Sequence, residues 1–326
     1  MPLATQMGYK KESVYGTAVT VDTFCDYESE SINPVVERYE SPALRTTRGL
    51  RDDRFFPWVA GYDGTIRFPV MTKTFGFWGE FLTGGDVATT GPTDTVYTHT
   101  FNIASLCDDS FTLQIDKPLG VCGDDDQAFT YAGCKVGSWT LSQEAGGVIV
   151  AEIEVMAQTG LTATAKATAS YVTGLEFLPW SSTSLTIGGT AVPVKSWSVQ
   201  CNNQLEDRRM INGTAYRSKP VENAYREITF SCTCDFEALA TVYSRAVSAT
   251  VAGSLAAVVI TANGPTILTS TYPGLTITLP AVRIDEGFPN VAGPGMIELS
   301  VTGKALVNTS GVQATLAYRT TQATPL

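Results

Sequence analysis

The chain has 326 residues, 44% of them apolar and only 17% charged, which excludes a disordered polypeptide. Its 22 Lys and Arg against 32 Asp and Glu give a formal net charge of −10 and exclude a basic nucleic-acid binder. The length suffices for two domains of ordinary size, and plentiful glycine (29), proline (16), threonine and valine favour strands and turns over long helices.

Met1 to Tyr15 shows no charged segment followed by an apolar one, and no run is apolar enough to span a membrane. The expectation is a soluble protein made in a cytoplasm. A long polar insertion, NPVVERYESPALRTTRGLRDDRFFPWVAGYD, covers 33–63. Ordinary hairpin loops have ~2–5 residues, so a loop this long is expected to be functional or disordered, and its clustered aromatics argue against a floppy, solvated loop. It carries Arg38, Arg45, Arg48, Arg51 and Arg54, then Phe55, Phe56 and Trp58. Arginine with large aromatics is the composition of protein–protein hot spots. Residues 64–70 alternate as a strand, and FGFWGEFLT (75–83) has helical spacing. In 148–157, Ile149, Ala151, Ile153 and Val155 share one face, with Glu152 and Glu154 on the other. The small, polar stretch 161–173 reads as a connector.

The second half follows the same plan. Trp197, Val199 and Cys201 alternate with serine and glutamine. A second insertion over 202–225 holds Arg208, Arg209, Met210, Tyr216 and Arg217. Ile228, Phe230, Cys232 and Cys234 alternate with Thr229, Ser231 and Thr233, and 236–247 has helical spacing. Ile297, Leu299 and Val301 alternate with Glu298 and Ser300. This period of two marks antiparallel strands with one covered and one wet face.

Three phrases recur in order. GTIRFPVMTKTFGFW resembles REITFSCTCDFEALA, aligning Ile66 with Ile228 and Phe68 with Phe230. FTYAGCKV (129–136) resembles ITLPAVRI (277–284), and VIVAEIEVMAQTG (148–160) resembles GMIELSVTGKA (295–305), with Ile153 beside Leu299. Three matches in the same order imply duplication of one domain. The expected organisation is a first domain over 1–163, a connector over 164–173, a second domain over 174–305 and a tail over 306–326. Charge is split unevenly: residues 1–163 hold 22 acidic and 11 basic residues, and residues 164–326 hold 10 acidic and 11 basic.

Catalytic and metal chemistry finds little support. His99 is the one histidine, which removes HExxH and Cys2His2 zinc sites. No GxSxG elbow, Walker loop or GxGxxG before a helix occurs. Seven cysteines, an odd number spread over a long chain, do not make a disulfide framework, and Cys232 with Cys234 lacks the second pair that zinc needs. Asp124, Asp125 and Asp126, with Asp108 and Asp109 upstream, lack the order of a calcium loop. Neither a catalytic residue, a metal nor a cofactor is expected.

The opening GYKKESVYGTAV (8–19), the strand ending YESESI (27–32), the arginine-rich loop, GYDGTIRFPV and the short helix FGFWGEFLTGG together resemble the tail tube (major tail) proteins of long-tailed bacteriophages. SWSVQCNNQLEDRR and YREITFSCTCDFEAL repeat the scheme. The acidic loops around 105–128 and the residues past 305 fall outside the resemblance. It implies a mainly β fold of two tandem β-sandwich tube domains, each with a short flanking helix and a long inter-ring loop. It implies a structural virion protein, not an enzyme, whose stacked rings make a tube for DNA. Two domains per chain imply a trimeric ring with pseudo-sixfold symmetry. The implied partners are other copies of the chain, tail-tip and tail-terminator proteins, and a tape measure protein inside the tube before DNA. DNA passes without specific binding, and the chain does not enter a membrane. The implied location is the virion tail, after synthesis in the host cytoplasm.

Arg45, Arg48, Arg51, Arg54, Phe55, Phe56, Trp58, Arg208, Arg209, Met210 and Tyr216 are the inter-ring candidates. Asp26, Glu28, Glu30, Glu152, Glu154 and Glu298 are the channel-lining candidates, since acidic or neutral walls keep affinity for phosphates low. The alternatives are another β-rich virion component, such as a capsid decoration or tail terminator, or a bacterial surface sandwich module. A carboxylate glycosidase using Asp124 and Glu144 is a remoter alternative.

Overall fold

The computed structural model describes residues 5–325 apart from 44–45, 47–48, 86, 119–125, 237–241, 268–270, 292 and 295. Strands take 52% of the chain and helices 7%, so the fold is mainly β, as the composition anticipates. The first half contains β1 (Met7–Lys11), β2 (Thr23–Cys25), β3 (Ser29–Glu30), β4 (Asn33–Glu40), β5 (Phe55–Pro69), α1 (Phe75–Thr83), β6 (Ala88–Thr93), β7 (Val96–Asn102), β8 (Phe111–Pro118), β9 (Asp126–Glu144), β10 (Val150–Ala157) and β11 (Thr159–Leu161). The second contains β12 (Thr183–Ile187), β13 (Thr190–Ala191), β14 (Val194–Asn202), β15 (Leu205–Glu206), β16 (Val221–Glu222), β17 (Glu227–Asp235), α2 (Tyr243–Ala246), α3 (Val251–Ser254), β18 (Leu255–Asn263), β19 (Gly274–Glu286), β20 (Glu298–Ala305) and β21 (Thr315–Thr320).

One antiparallel ladder occurs twice. In the first half the neighbours run β1, β8, β9, β10, β5, β3. In the second they run β12, β18, β19, β20, β17, β14. Each member also has the same place in chain order as its counterpart. The two ladders meet where β9 pairs with β14, from Ser138↔Asn202 to Glu144↔Ser196. One sheet therefore runs through both halves.

The register corrects one detail of the sequence alignment. Ile66 lies opposite Ile153, whereas Ile228 lies opposite Ala305, and Leu299 faces Cys234 instead. The displacement from Leu299 to Ala305 is an even number of residues. The same face stays inward, so alternation alone did not reveal the shift.

The inward face is dry. Ile66, Phe68, Ala151, Ile153, Val155, Trp139, Leu141, Trp197, Val199, Ile228, Phe230, Leu299 and Val301 are all buried. β9 serves two layers: its early residues pair with β8 and β11, its later ones with β10 and β14. The change falls near Gly133, whose φ of 67° needs glycine.

The predicted helix over 75–83 is α1, and all nine of its residues are buried. Seven of the nine are apolar or glycine, Glu80 is paired with Lys11, and the Thr83 hydroxyl donates to Gly79 O, so the helix can lie inside the protein. Phe77, Trp78 and Phe81 pack on Phe111 with ring centroids 5.8, 5.6 and 4.9 Å away. Gly84 closes the helix in the left-handed region, its N–H donating to Glu80 O at 2.7 Å. From the second half, Arg226 Nη1 donates to Thr83 O at 2.9 Å, a cation on the carbonyl end of the helix. Of the helix expected over 236–247, α2 is described, and 237–241 lie outside the described residues.

The expected connector lies along β8. Gln114 accepts from Ala167 N at 2.8 Å and donates to Ala165 O at 3.1 Å. Residues past 305, expected as a tail, supply β21, which inserts between β19 and β7.

Candidate assembly surfaces

The first long insertion is a projecting ribbon. β4 pairs with β5 from Asn33↔Asp63 to Glu40↔Phe55, and β10 covers β5 only from Tyr62 onward. At about 3.3 Å per residue the two-stranded part extends roughly 25 Å. Alternation fails here because neither face is covered. Tyr39, Leu50, Phe55 and Phe56 are exposed, Phe56 by 66%. Trp58 stacks on Phe56 at 5.9 Å and is half-buried. Arg51 forms a two-point ion pair with Asp53, at 2.7 and 3.0 Å, and Arg54 approaches the same carboxylate at 4.0 Å. Arg45 and Arg48 lie outside the described residues. Exposed aromatics beside arginines at the end of a stalk of strands mark an interaction surface.

The second insertion behaves differently. Its ladder is a stub of two pairs, β15 with β16. It folds back onto the base of the first ribbon. Arg217 is fully buried there, with Nη1 2.7 Å and Nη2 2.8 Å from the two oxygens of Asp63, and Nε 3.6 Å from Asp207. Its backbone N–H donates to Ala60 O at 2.7 Å, and Gln158 donates to its carbonyl at 3.0 Å. Gly61 leaves the space for the guanidinium: a Cβ there would sit 2.3 Å from Arg217 Nε. Arg209 bridges Glu37 at 3.0 Å and Asp207 at 2.6 Å. Met210 is exposed, and Arg208 and Tyr216 are half-buried. Arg217, named in the second insertion, was not among the inter-ring candidates. Nothing in AYRSKP distinguishes a buried arginine from its exposed neighbours, and only the glycine across the fold explains the choice.

The wet face of the shared sheet is a third surface. On it lie Thr65, Thr140, Ser142, Ser198, Gln200, Thr229, Ser231, Thr233, Ser300 and Thr302, with Glu152, Glu154 and Glu298. Its bases sit against acids. Arg67 contacts Glu28 at 2.8 Å and Glu152 at 3.8 Å; Lys304 contacts Glu227. Lys195 bonds Asp235 at 2.8 Å and also Glu298, and these two bonds raise its pKa. The structure thus brings Glu28, Glu152, Glu154 and Glu298 to one face. Glu30 instead pairs with Lys117 at 2.8 Å on the side of Ile66, and Asp26 is exposed before the strand edge.

The sequence profile of phage tail tube proteins matches residues 3–305, nearly the whole chain. The chain belongs to the phage tail tube protein family. No individually curated protein matches it. Family membership makes it a structural protein of the virion tail, assembling with itself and with other tail proteins, and implies a non-enzymatic role.

In this tail tube protein the residues that first suggested chemistry have structural duties. His99 is buried, bonded to Thr89 Oγ1 at 2.8 Å and Gln322 O at 2.9 Å, and burial lowers its pKa. Cys25, Cys134, Cys201, Cys232 and Cys234 are buried, Cys107 is exposed, and Cys122 lies outside the described residues. Asp108 pairs with Lys219 at 2.9 Å, and Asp109 approaches Lys11 at 3.2 Å. Asp124 and Asp125 lie outside the described residues. Among the described residues no helix is long and apolar enough to cross a membrane.

Proposed function

We propose that three copies of the chain close a ring, each ladder acting as one tube domain, and that rings stack into the channel through which DNA passes. The β9–β14 joint carries this reading. It joins two like units edge to edge, and repeating the same joint between chains closes a ring of six units. The counterpart of β14 in the first half is the edge around β3, from Asp26 to Ser31, paired through Glu28 and Ser31 on its β5 side. The counterpart of the late part of β9 is the chain that follows β19, where Phe288 and Val291 are exposed. Pairing these two edges in adjacent chains satisfies backbone groups that otherwise invite uncontrolled association.

The ladders lie within 1–163 and 174–305, which supports those domain limits. A lumen lined by the serine, threonine and glutamate face repels or ignores phosphate, so DNA moves without being held. Tail-tip and terminator proteins cap the stack, a tape measure protein fills the lumen before DNA, and synthesis is in the host cytoplasm. Electron microscopy of concentrated protein, seeded with tail tips, tests the assembly. Rings of three two-unit chains are expected. Rings of six chains, or persistent monomers with seeds present, would overturn the reading.

A further inference from the structure

Resting on that reading, the two long insertions are counterparts with opposite fates. Each lies between the last two strands of its ladder, β3 with β5 and β14 with β17. Phe55 is exposed at the ribbon end, while Arg217 is fully buried between the ribbons. We propose that each chain presents one stacking arm, not two: the β4–β5 ribbon reaches a second copy of the chain in the adjoining ring, and 203–225 is its brace, with Arg217 as the positioning residue.

The physical case starts with leverage. A two-stranded ribbon uncovered on both faces is marginal by itself in water. Its direction is set at its base, where Ala60 and Gly61 are the first residues to become buried. At that base the Arg217 guanidinium donates from Nη2 to Asp63 and places Nη1 in ion-pair contact with its other oxygen, the Arg217 backbone N–H donates to Ala60 O, and higher up Arg209 holds Glu37, which lies opposite Trp58. A guanidinium suits this place, because it keeps its charge when buried and reaches Asp63 and Asp207 at once. The brace cannot serve as a second extended arm without giving up these bonds and leaving a buried cation unpaired. The occupant of the arm is a second copy on grounds of charge. The arm segment holds five arginines against four acidic residues over 37–58, in a chain of net charge −10. Three arms per ring follow, in place of the six that equal insertions would supply.

Two measurements test this. Hydrogen exchange on the unassembled chain should show Ala60–Asp63 and the backbone around Arg217 protected. Arg217→Met should speed exchange there by roughly 10-fold or more, and Arg217→Lys by less. Arg209→Ala, half-exposed and outside the core, should loosen 207–210 if Arg217→Met does not fold. Unchanged exchange in these variants would overturn the brace. In seeded tubes, cryo-electron microscopy should show three ribbons crossing between rings. Six crossing ribbons would overturn the single arm. Failure to form any tube would count against the tube reading, while the exchange data still decide the brace.

Discussion

Lys135 → Met should change how stability depends on pH. Lys135 is 2% exposed, and its ammonium donates to the carbonyls of Leu106 and Cys107, the latter at 3.1 Å. Among the described residues no carboxylate is paired with it; Lys219 repels it, and Asp109, Cys107 and Glu222 act only from a distance. Burial is the main cause that lowers its pKa from 10.5 to about 8. The unfolded chain therefore binds more protons between pH 8 and 10.5, and stability from this group rises with pH across that window. Below pH 8 the charged lysine costs on the order of 3 kcal/mol. Methionine removes the charge but leaves two carbonyls short of a donor, a loss of about 1–3 kcal/mol. The difference at pH 7 is therefore small, and the slope is the decisive quantity. Urea denaturation of both unassembled proteins at pH 7 and 10.5 measures it. The variant should lose ground to the parent by on the order of 3 kcal/mol as pH rises. Parallel stability curves would refute a charged, poorly compensated Lys135.

Three further outcomes are expected. Phe56→Ser, at an exposed ribbon position, should leave melting within about 0.5 kcal/mol of the parent but shorten or abolish seeded tubes, scored by microscopy. Val291→Asp, 78% exposed at the edge beyond β19, should spare the monomer and reduce rings, read by analytical ultracentrifugation; intact rings would displace the joint. Gly79→Ala places a Cβ 2.6 Å from Phe101, so despite better helix propensity it should cost about 1–3 kcal/mol by calorimetry.

The fold was legible where one face of a strand is dry and the other wet. Glu152 and Glu154 against Ile153 and Val155, or Thr229 and Ser231 against Phe230 and Cys232, give period two because water reaches only one side. Helix α1 was legible from its spacing. Its complete burial was not, because that depends on Phe101 and Phe111, which arrive from distant strands. The duplication was visible in phrases, yet their register was not, since an even shift preserves the pattern. The role of Arg217 was invisible because its partners, Gly61 and Asp63, lie more than 150 residues away along the chain. β21 was missed because a single strand carries no local sign of the two neighbours that flank it.

Joining two ladders in one chain changes what assembly must accomplish. If six like units were separate, six bodies would each lose translational freedom, and every joint would be intermolecular. In the proposed ring, with β9 already seated on β14, half of the joints form inside the chain at high effective concentration, and three bodies remain to be gathered. Fusion also frees the halves from being identical. In a ring of one repeated unit, an insertion that reaches outward does so six times, and none can be turned inward to support another. On the proposed reading the second insertion has done that, with Arg217 buried at the base of the first while Phe55 stays exposed. The acidic excess is likewise confined to residues 1–163. A ring of three such chains carries charge and arms that repeat every 120°, while its shared sheet keeps close to a 60° repeat. Density averaged with sixfold symmetry should then keep the wall sharp and blur the ribbons. Equal sharpness in both would contradict the divergence of the two insertions.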